Sequence, residues 1–204
     1  GLEFLSALVA LFYLPKIKDT YWKWFSIYLV IIFIQEFFWE LKLSFFNVSK
    51  QEYYAFFGIP IQYFFFYWLY AFKSLNNKGI FIAFTSIYLC TYIPTELFFK
   101  KNNIVYSLNL TVGIILLTIL IVFELKKQII TDDILKFKEN KMFYINIGVV
   151  LSYIGTYPFF AFYEYISKGE HINIWNAYYL YFLIANCFMY SLFIASFIWG
   201  KHKS

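Results

Sequence analysis

The sequence predicts an all-α fold, a polytopic membrane bundle of about seven transmembrane helices that forms one domain over residues 1–204. Three observations support this prediction. Apolar runs that are long enough, or nearly long enough, to cross a bilayer account for most of the chain. Charged residues are scarce, and the lysines cluster in the segments that connect or flank the runs. Too little sequence remains outside the runs for a separate water-soluble domain.

The composition is typical of a protein that is surrounded by lipid. Charged residues make up only 14% of the chain, whereas a soluble domain carries about 25%. Aromatic residues make up 26%, which is more than one water-soluble core of this size can bury. In lipid, these rings can face acyl chains or neighbouring helices. We therefore expect membrane lipids as partners and a bacterial inner membrane as the location.

The apolar runs have about the length that a membrane-spanning helix needs, which is about 20 residues for roughly 30 Å of hydrocarbon. In chain order they cover approximately residues 3–14, 24–43, 54–72, 79–99, 104–123, 142–166 and 174–199. The first run is short, because Pro15 and Lys16 follow it directly. A cleavable signal peptide would need a basic start and a small-residue cleavage site, and neither is visible. We therefore keep seven spans.

Several later runs are interrupted by residues that a membrane helix tolerates only in particular surroundings. Pro60, Pro94 and Pro158 lie in the third, fourth and sixth runs, where each removes a backbone donor and frees an upstream carbonyl. Such breaks are tolerated where neighbouring helices, hydroxyls or water satisfy the backbone. The fifth run carries Asn109 slightly outward of its middle, and the seventh run carries Asn186 at its middle. These positions suggest polar contacts between helices.

The lysines predict the orientation of the bundle. Twelve lie in alternate connections and the C-terminal tail: Lys16, Lys18, Lys23, Lys73, Lys78, Lys126, Lys127, Lys136, Lys138, Lys141, Lys201 and Lys203. Five lie on the opposite side: Lys42, Lys50, Lys100, Lys101 and Lys168. Since the side richer in lysine is cytoplasmic, we predict an external N-terminus and a cytoplasmic C-terminus.

The residue types exclude several functional classes. The chain contains no arginine, so the planar guanidinium that reads phosphates and base edges is missing, and we expect no nucleic-acid partner. Cys90 and Cys187 lie in separate runs, and His171 and His202 lie far from them and from each other. The spacing of a metal site and the parts of a Ser-His-Asp triad are therefore missing. We predict no metal, no cofactor and no enzymatic activity.

The second run contains the most function-like feature, a pair of carboxylates within a membrane span. A carboxylate near the middle of a span costs about 2.5–3.5 kcal/mol on insertion scales, and such residues usually face the bundle interior. Glu36 and Glu40 lie four residues apart, so they share one helix face. The acids of the spans lie in their outer halves. We predict a ligand-binding pocket that opens outward and is lined by Glu36, Glu40, Gln62, Glu96, Asn109, Thr156, Glu164 and Asn186.

Two alternatives remain open at this site and in the longest connection. Glu96 and Glu164 could extend to the membrane surface while the prolines bend helices for packing alone. Residues 124–141 combine lysines with Asp132, Asp133 and Glu139, and we predict a solvated inner loop with a helical turn after Thr131. A partner protein docking on this loop is the alternative.

The chain resembles a group of uncharacterised seven-helix membrane proteins of Bacteroidota. The resemblance is carried by short segments: Glu3-Phe4-Leu5, residues 16–20, Gln35-Glu36-Phe37, residues 143–148 and residues 153–159. Such proteins look like frequent neighbours of sensor kinases, so the resemblance implies a role in signalling and a membrane-protein partner. It implies no catalytic residue.

The outward-biased acids predict a receptor-like or sensory protein that binds a small ligand or a proton. A small transporter is the alternative, because a polar cluster at mid-membrane suits alternating access. No repeat relates the first three runs to the last three, and the inner halves of the runs lack an equivalent polar cluster. An accessory structural subunit of a larger membrane complex is the third hypothesis.

Overall fold

The computed structural model describes residues 1–41, 53–98, 105–161 and 172–201, and all regular secondary structure in these ranges is helical. The predicted all-α fold is therefore confirmed. Eight α-helices and three π-helical turns in the described residues join into seven long helices. They are α1 (Leu2–Ile17), α2 (Trp22–Glu40), α3 (residues 54–74), α4 (Lys78–Phe98), α5 (Val105–Ile130), α6 (residues 141–161) and α7 (Ile172–Ile198).

Two of these long helices contain π-helical turns. Helix α3 begins with a π turn at Tyr54–Gly58, continues as an α-helix over Ile59–Tyr67 and ends in a second π segment at Trp68–Ser74. Helix α6 contains a π turn at Val150–Ile154 between two α-helical parts. Turns of this kind occur frequently at functional sites.

Asparagine side chains define two of the helix starts. Before α4, Asn76 adopts a left-handed conformation with φ of 52°, and the Asn77 side chain accepts a hydrogen bond from the Ile80 amide at 3.0 Å. Asn140 caps α6 in the same way by accepting from Phe143. Asparagine is favoured at both kinds of position. A 3₁₀ helix at Asp133–Glu139 precedes α6, which agrees with the predicted helical turn after Thr131.

Two helices in the described part of the chain are long and apolar enough to cross a bilayer: Leu108–Ile130 of α5 and Asn173–Ile198 of α7. The apolar part of α4, Lys78–Ile93, is shorter. Along α5, Ile115, Ile119 and Val122 follow a helical spacing and remain exposed. An exposed apolar stripe on a helix of this length suits contact with lipid. These features indicate a membrane protein.

The chain divides into two compact units, and the first comprises Gly1–Ser26 and Ile129–Ser204. Its core forms where α7 packs against α6 and α1. Gly148 permits the close approach of α6, because a Cβ there would lie 3.2 Å from the Phe193 ring and 3.4 Å from Met189 Cα. Phe25 packs edge-on against Phe193, with ring centroids 5.2 Å apart, and stacks on Phe197 at 5.6 Å.

The second unit comprises Ile27–Gln128 and has a core rich in tyrosine. Tyr63 and Tyr67 of α3 and Tyr88 of α4 are fully buried. The hydroxyls of Tyr63 and Tyr67 donate to the carbonyls of Leu110 and Gly113 on α5, at 3.3 and 2.9 Å. These bonds tie α3 to α5 without any charged group.

Candidate functional site

A carboxylate–phenol hydrogen bond joins α2 to α3 in the second unit. Glu36 lies one turn before the end of α2 and is half-buried, and its carboxylate accepts a hydrogen bond from the hydroxyl of Tyr54, the first residue of α3. Glu40, one turn further along α2, is exposed. The structure thus separates the two acids into one carboxylate that binds a neighbouring helix and one that faces outward from the protein.

The π turn at the start of α3 positions Tyr54. The Ile59 amide donates to the Tyr54 carbonyl five residues earlier, which widens this turn. Gly58 lies against the ring, because a Cβ at that position would be 2.7 Å from Tyr54 Cδ1. A side chain at position 58 would therefore displace the ring and the hydroxyl that contacts Glu36.

Further aromatic rings surround this end of α3. Tyr53 packs edge-on against Trp39, at 5.5 Å between centroids, and against Tyr54, at 5.7 Å. Phe57 lies 5.9 Å from Tyr53. The Tyr54 hydroxyl thus joins the Glu36 carboxylate to a group of packed aromatic rings, whose faces carry partial negative charge. This combination has the electrostatic character that favours a cation.

Pro60 frees a carbonyl close to the same site, and a tyrosine from α4 satisfies it. Proline has no N–H to donate to the carbonyl four residues earlier, which here belongs to Phe56. The Tyr92 hydroxyl donates to the Phe56 carbonyl at 2.8 Å. The backbone break expected from the sequence is therefore compensated by a hydroxyl of a neighbouring helix, in the way that membrane proteins tolerate proline.

Helix α6 shows the same compensation at its π turn. The Gly155 amide donates to Val150, five residues back, and so does not pair with the Leu151 carbonyl. The Tyr181 hydroxyl of α7 donates to Leu151 instead, at 3.1 Å, and its oxygen lies against Gly155, where a Cβ would clash. Pro158 lies inside the continuing helix.

The remaining residues of the expected pocket divide between the two units. Gln62 is half-buried and Asn109 is buried, both in the second unit with Glu36. In the first unit, the Ser152 hydroxyl donates to the Asn186 side chain at 3.3 Å, and Thr156 donates to the Ser152 carbonyl. Tyr54, the partner of Glu36, is not among the pocket residues expected from the sequence. The side chain of Glu96 and all of Glu164 lie outside the described residues.

A second polar cluster, which the sequence did not reveal, lies at the other end of α3. Glu124 of α5 is only 1% exposed, and its carboxylate accepts from Ser74 at 2.5 Å and from Gln128 at 3.0 Å. The Lys127 ammonium donates to the Ser74 carbonyl at 2.7 Å and lies 4.0 Å from Glu124. The i, i+3, i+4 spacing of Glu124, Lys127 and Gln128 places the three on one helix face, but it does not show that Ser74 of α3 covers that face.

Lys141 was expected from the sequence to be an ordinary loop lysine, but the structure buries it. It begins α6 and is 3% exposed, and its ammonium lies 5.2 Å from the ring centroids of both Trp22 and Phe197. Burial lowers the pKa of Lys141 to about 8. In the described part of the chain, its Nζ has no hydrogen-bond acceptor. The two rings therefore provide its electrostatic surroundings.

The described residues contain no cluster of three or more His, Cys, Asp or Glu side chains that could hold a metal ion. Cys90 and Cys187 are free and exposed. The chemistry available at the Glu36 end of α3 is reversible binding of a proton or a cation by a carboxylate among aromatic rings.

The chain matches no family model, no curated protein and no solved structure. The site must therefore be interpreted from its own geometry.

Proposed function

We propose that this chain is a receptor-like sensory protein of a bacterial inner membrane that responds to a proton or a small cation at Glu36. In this proposal all seven helices cross the bilayer, with the N-terminus outside and the C-terminus in the cytoplasm. The observation that carries the proposal is the hydrogen bond from Tyr54 to Glu36, which places an ionisable group of one helix on the first turn of the next.

The strength of this bond depends on the charge of Glu36. A hydrogen bond to an ionised carboxylate is roughly twice as strong as one between neutral groups. Protonation of Glu36, or binding of a cation to its oxygens, therefore weakens the hold of α2 on Tyr54. A ligand shifts a conformational equilibrium only through such a difference in interaction between states. Tyr54 lies in a π turn, so the change acts on a part of α3 whose backbone pairing is already irregular.

The aromatic neighbours favour a positively charged ligand over a neutral one. The Tyr54 ring, whose hydroxyl bonds Glu36, packs against Tyr53, which also packs against Trp39 and Phe57, and cations bind the faces of such rings electrostatically. A proton is the smallest ligand of this class, and a primary or quaternary amine is the next that fits the chemistry. The orientation predicted from the lysine distribution would place this end of α3 on the outer side of the membrane.

A proton-coupled transporter is the second candidate, and the cluster around Glu124 favours it. Glu36 and Glu124 contact Tyr54 and Ser74, the first and last residues of α3. About 20 residues of helix separate these contacts, or roughly 30 Å at 1.5 Å per residue. A transporter requires polar groups near both faces, and the sequence alone suggested no such cluster on the inner face.

The decisive experiment compares Glu36→Gln with Glu40→Gln in purified protein reconstituted into nanodiscs. Amide hydrogen exchange of α3 is measured between pH 4 and 8. Because glutamine keeps shape and hydrogen bonding but cannot ionise, we expect the pH-dependent change around residues 54–60 to disappear in Glu36→Gln. Glu40→Gln is the matched control, since Glu40 is exposed on the same helix, and it should keep the wild-type response.

A wild-type response in Glu36→Gln, or no pH dependence in the wild type and no response to added amines, would refute the sensory proposal and favour an accessory structural subunit. Proton flux distinguishes the transporter. Liposomes loaded with a pH-sensitive dye should show flux with wild-type protein only if a transport cycle exists, and that flux should be lost in both Glu36→Gln and Glu124→Gln. A pH response without flux supports a sensor.

A further inference from the structure

Two buried nitrogen donors lie where α2 and α6 begin. Trp22 is the first residue of α2 and Lys141 is the first residue of α6, and each is 3% exposed. The Lys141 ammonium lies 5.2 Å from the centroid of the Trp22 ring. Within the described residues, neither Lys141 Nζ nor the indole nitrogen of Trp22 has a hydrogen-bond partner. One positive charge and several unpaired N–H groups are therefore buried at the same place.

The acids that are nearest along the chain do not neutralise this ammonium. Glu139 forms an ion pair with Lys201. Asp19, in the connection before α2, is exposed. In the part of the chain that the structure describes, no carboxylate forms an ion pair with Lys141. Its charge is thus not compensated by an acid of these residues.

The end of α7 packs against the Lys141 side chain without providing an acceptor. A Cβ at Gly200 would clash with Lys141 Cγ, so the chain passes directly over the stem of the lysine. The nearby carbonyls of Ala195 and Ser196 already accept from the amides of Trp199 and Gly200, at 2.9 and 3.2 Å. These backbone oxygens therefore pair with the end of their own helix and not with the ammonium.

The surroundings of the two donors are electropositive. The first turn of a helix carries the positive end of its dipole, and two helices begin here. Residues 16–23, 139–141 and 199–201, which adjoin this place along the chain, contain five lysines and only two acids, a net charge of +3. The Trp22 and Phe197 rings attract the ammonium through their faces, but they leave its N–H groups unpaired. A buried charge is costly unless it is paired, and a water molecule cannot neutralise it.

We propose that the place where α2 and α6 begin binds a small monovalent anion, of which chloride is the example, through the Lys141 ammonium and the Trp22 indole N–H. The ammonium is a compact point charge, which suits a spherical ion, whereas phosphate and carboxylate groups are matched best by the planar fork of arginine. Both donors are enclosed by the protein, which also favours a single-atom anion over an organic one. The bound anion would join the start of α6 to the start of α2. This inference goes beyond the sensory proposal and does not depend on Glu36.

Thermal unfolding in different sodium salts tests the binding. The full-length protein in phosphatidylcholine nanodiscs is heated while sodium gluconate is replaced stepwise by sodium chloride at constant ionic strength. A ligand that binds only the folded protein raises the unfolding midpoint. We expect chloride in tenfold excess over its dissociation constant to raise the midpoint by about 3–6 °C. Equal midpoints in the two salts overturn the proposal.

Three variants assign the effect to the two donors. Lys141→Met keeps an apolar stem but removes the charge, so its midpoint should not respond to chloride. Lys138→Met is the matched control, because Lys138 is exposed three residues earlier, and it should keep the wild-type shift. Trp22→Phe keeps an aromatic ring and loses only the N–H, so it should require several-fold more chloride for the same shift. A chloride shift that persists in Lys141→Met, is lost in Lys138→Met as well, or is unchanged in Trp22→Phe contradicts the assignment.

Quenching of indole fluorescence by bromide tests the contact directly and needs no variant of Lys141, so it also decides the matter if Lys141→Met does not fold. Because Trp22 is buried, bromide in bulk solution cannot collide with its ring, and only a bound ion can quench it. We expect a saturable component of quenching in the wild type that chloride displaces and that Trp22→Phe lacks. Quenching without a saturable component, or an identical component in Trp22→Phe, indicates that water alone occupies the place and overturns the proposal.

Discussion

Replacing Gly113 by alanine tests how closely α3 and α5 pack. The added Cβ would lie 2.5, 2.6 and 2.8 Å from Cε2, Cζ and Cδ2 of Tyr63. Carbon atoms in favourable contact are about 3.5–4.0 Å apart. The Tyr63 ring must therefore move by about 1 Å to admit a single methyl group.

The surroundings of Tyr63 leave little room for that movement. Its ring is fully buried between those of Tyr67 and Tyr88, at centroid distances of 6.0 and 5.4 Å. Its hydroxyl already donates to Leu110 at 3.3 Å, so a shift of this size breaks the bond. Overpacking costs about 1–3 kcal/mol, the lost hydrogen bond about 1 kcal/mol, and the better helix propensity of alanine offsets about 1 kcal/mol. We expect a net destabilisation of about 1–3 kcal/mol.

Thermal unfolding in detergent micelles, followed by intrinsic fluorescence, measures this effect. Gly113→Ala should lower the midpoint, while Gly79→Ala, where the new Cβ meets only the Asn77 Oδ1 at 3.3 Å, should lower it much less. Combining Gly113→Ala with Tyr63→Leu removes the clashing ring atoms, so the double variant should lose less than the sum of the single losses. An unchanged midpoint in Gly113→Ala, or additive losses in the double variant, refutes the packing argument.

Two further predictions concern a tyrosine hydroxyl and a buried lysine. Tyr92→Phe leaves the Phe56 carbonyl without its side-chain donor and should cost about 1–3 kcal/mol of stability. Pro60→Ala restores the missing N–H, so in the double variant the loss caused by Tyr92→Phe should shrink, whereas a full loss there contradicts the assignment. Lys141 has a pKa lowered from 10.5 to about 8, so at this residue the unfolded chain binds more protons between these values, and the contribution of Lys141 to stability should rise as pH increases from about 8 to 10.5. Lys141→Met should remove that part of the pH dependence in unfolding measurements, and an unchanged slope would exclude Lys141 as its source.

The approximate positions of the helices could be anticipated from the apolar runs, because each of the seven helices overlaps one run, although α5 continues to Ile130, past its run at 104–123. Helix α3, for example, covers residues 54–74 where the apolar run covers 54–72. The π turns could not be anticipated. They depend on donors such as Tyr181 that lie far away in the chain and meet the backbone only after the helices have packed.

Part of the site could be predicted from the cost of placing a charged group among apolar residues. Glu36 could be selected because a carboxylate within an apolar run is costly, but its partner Tyr54 was hidden among twenty tyrosines. Glu124 and Lys141 were misjudged because both lie at the ends of apolar runs, where charged residues normally reach water. Whether such a residue is buried depends on which helix covers it, and spacing along the chain does not contain that information.

The tyrosine hydroxyls that serve the backbone have a consequence for assembly. A helix with a carbonyl left open by proline or by a π turn is incomplete after insertion, because lipid offers no donor. Phe56 and Leu151 carry such carbonyls, and in each case a phenol on another helix completes the pairing. Each of these carbonyls therefore favours packing against the helix that carries the matching tyrosine. In the proposed membrane arrangement, where burial of apolar surface does not distinguish right from wrong helix pairs, these hydrogen bonds help select the native pairs.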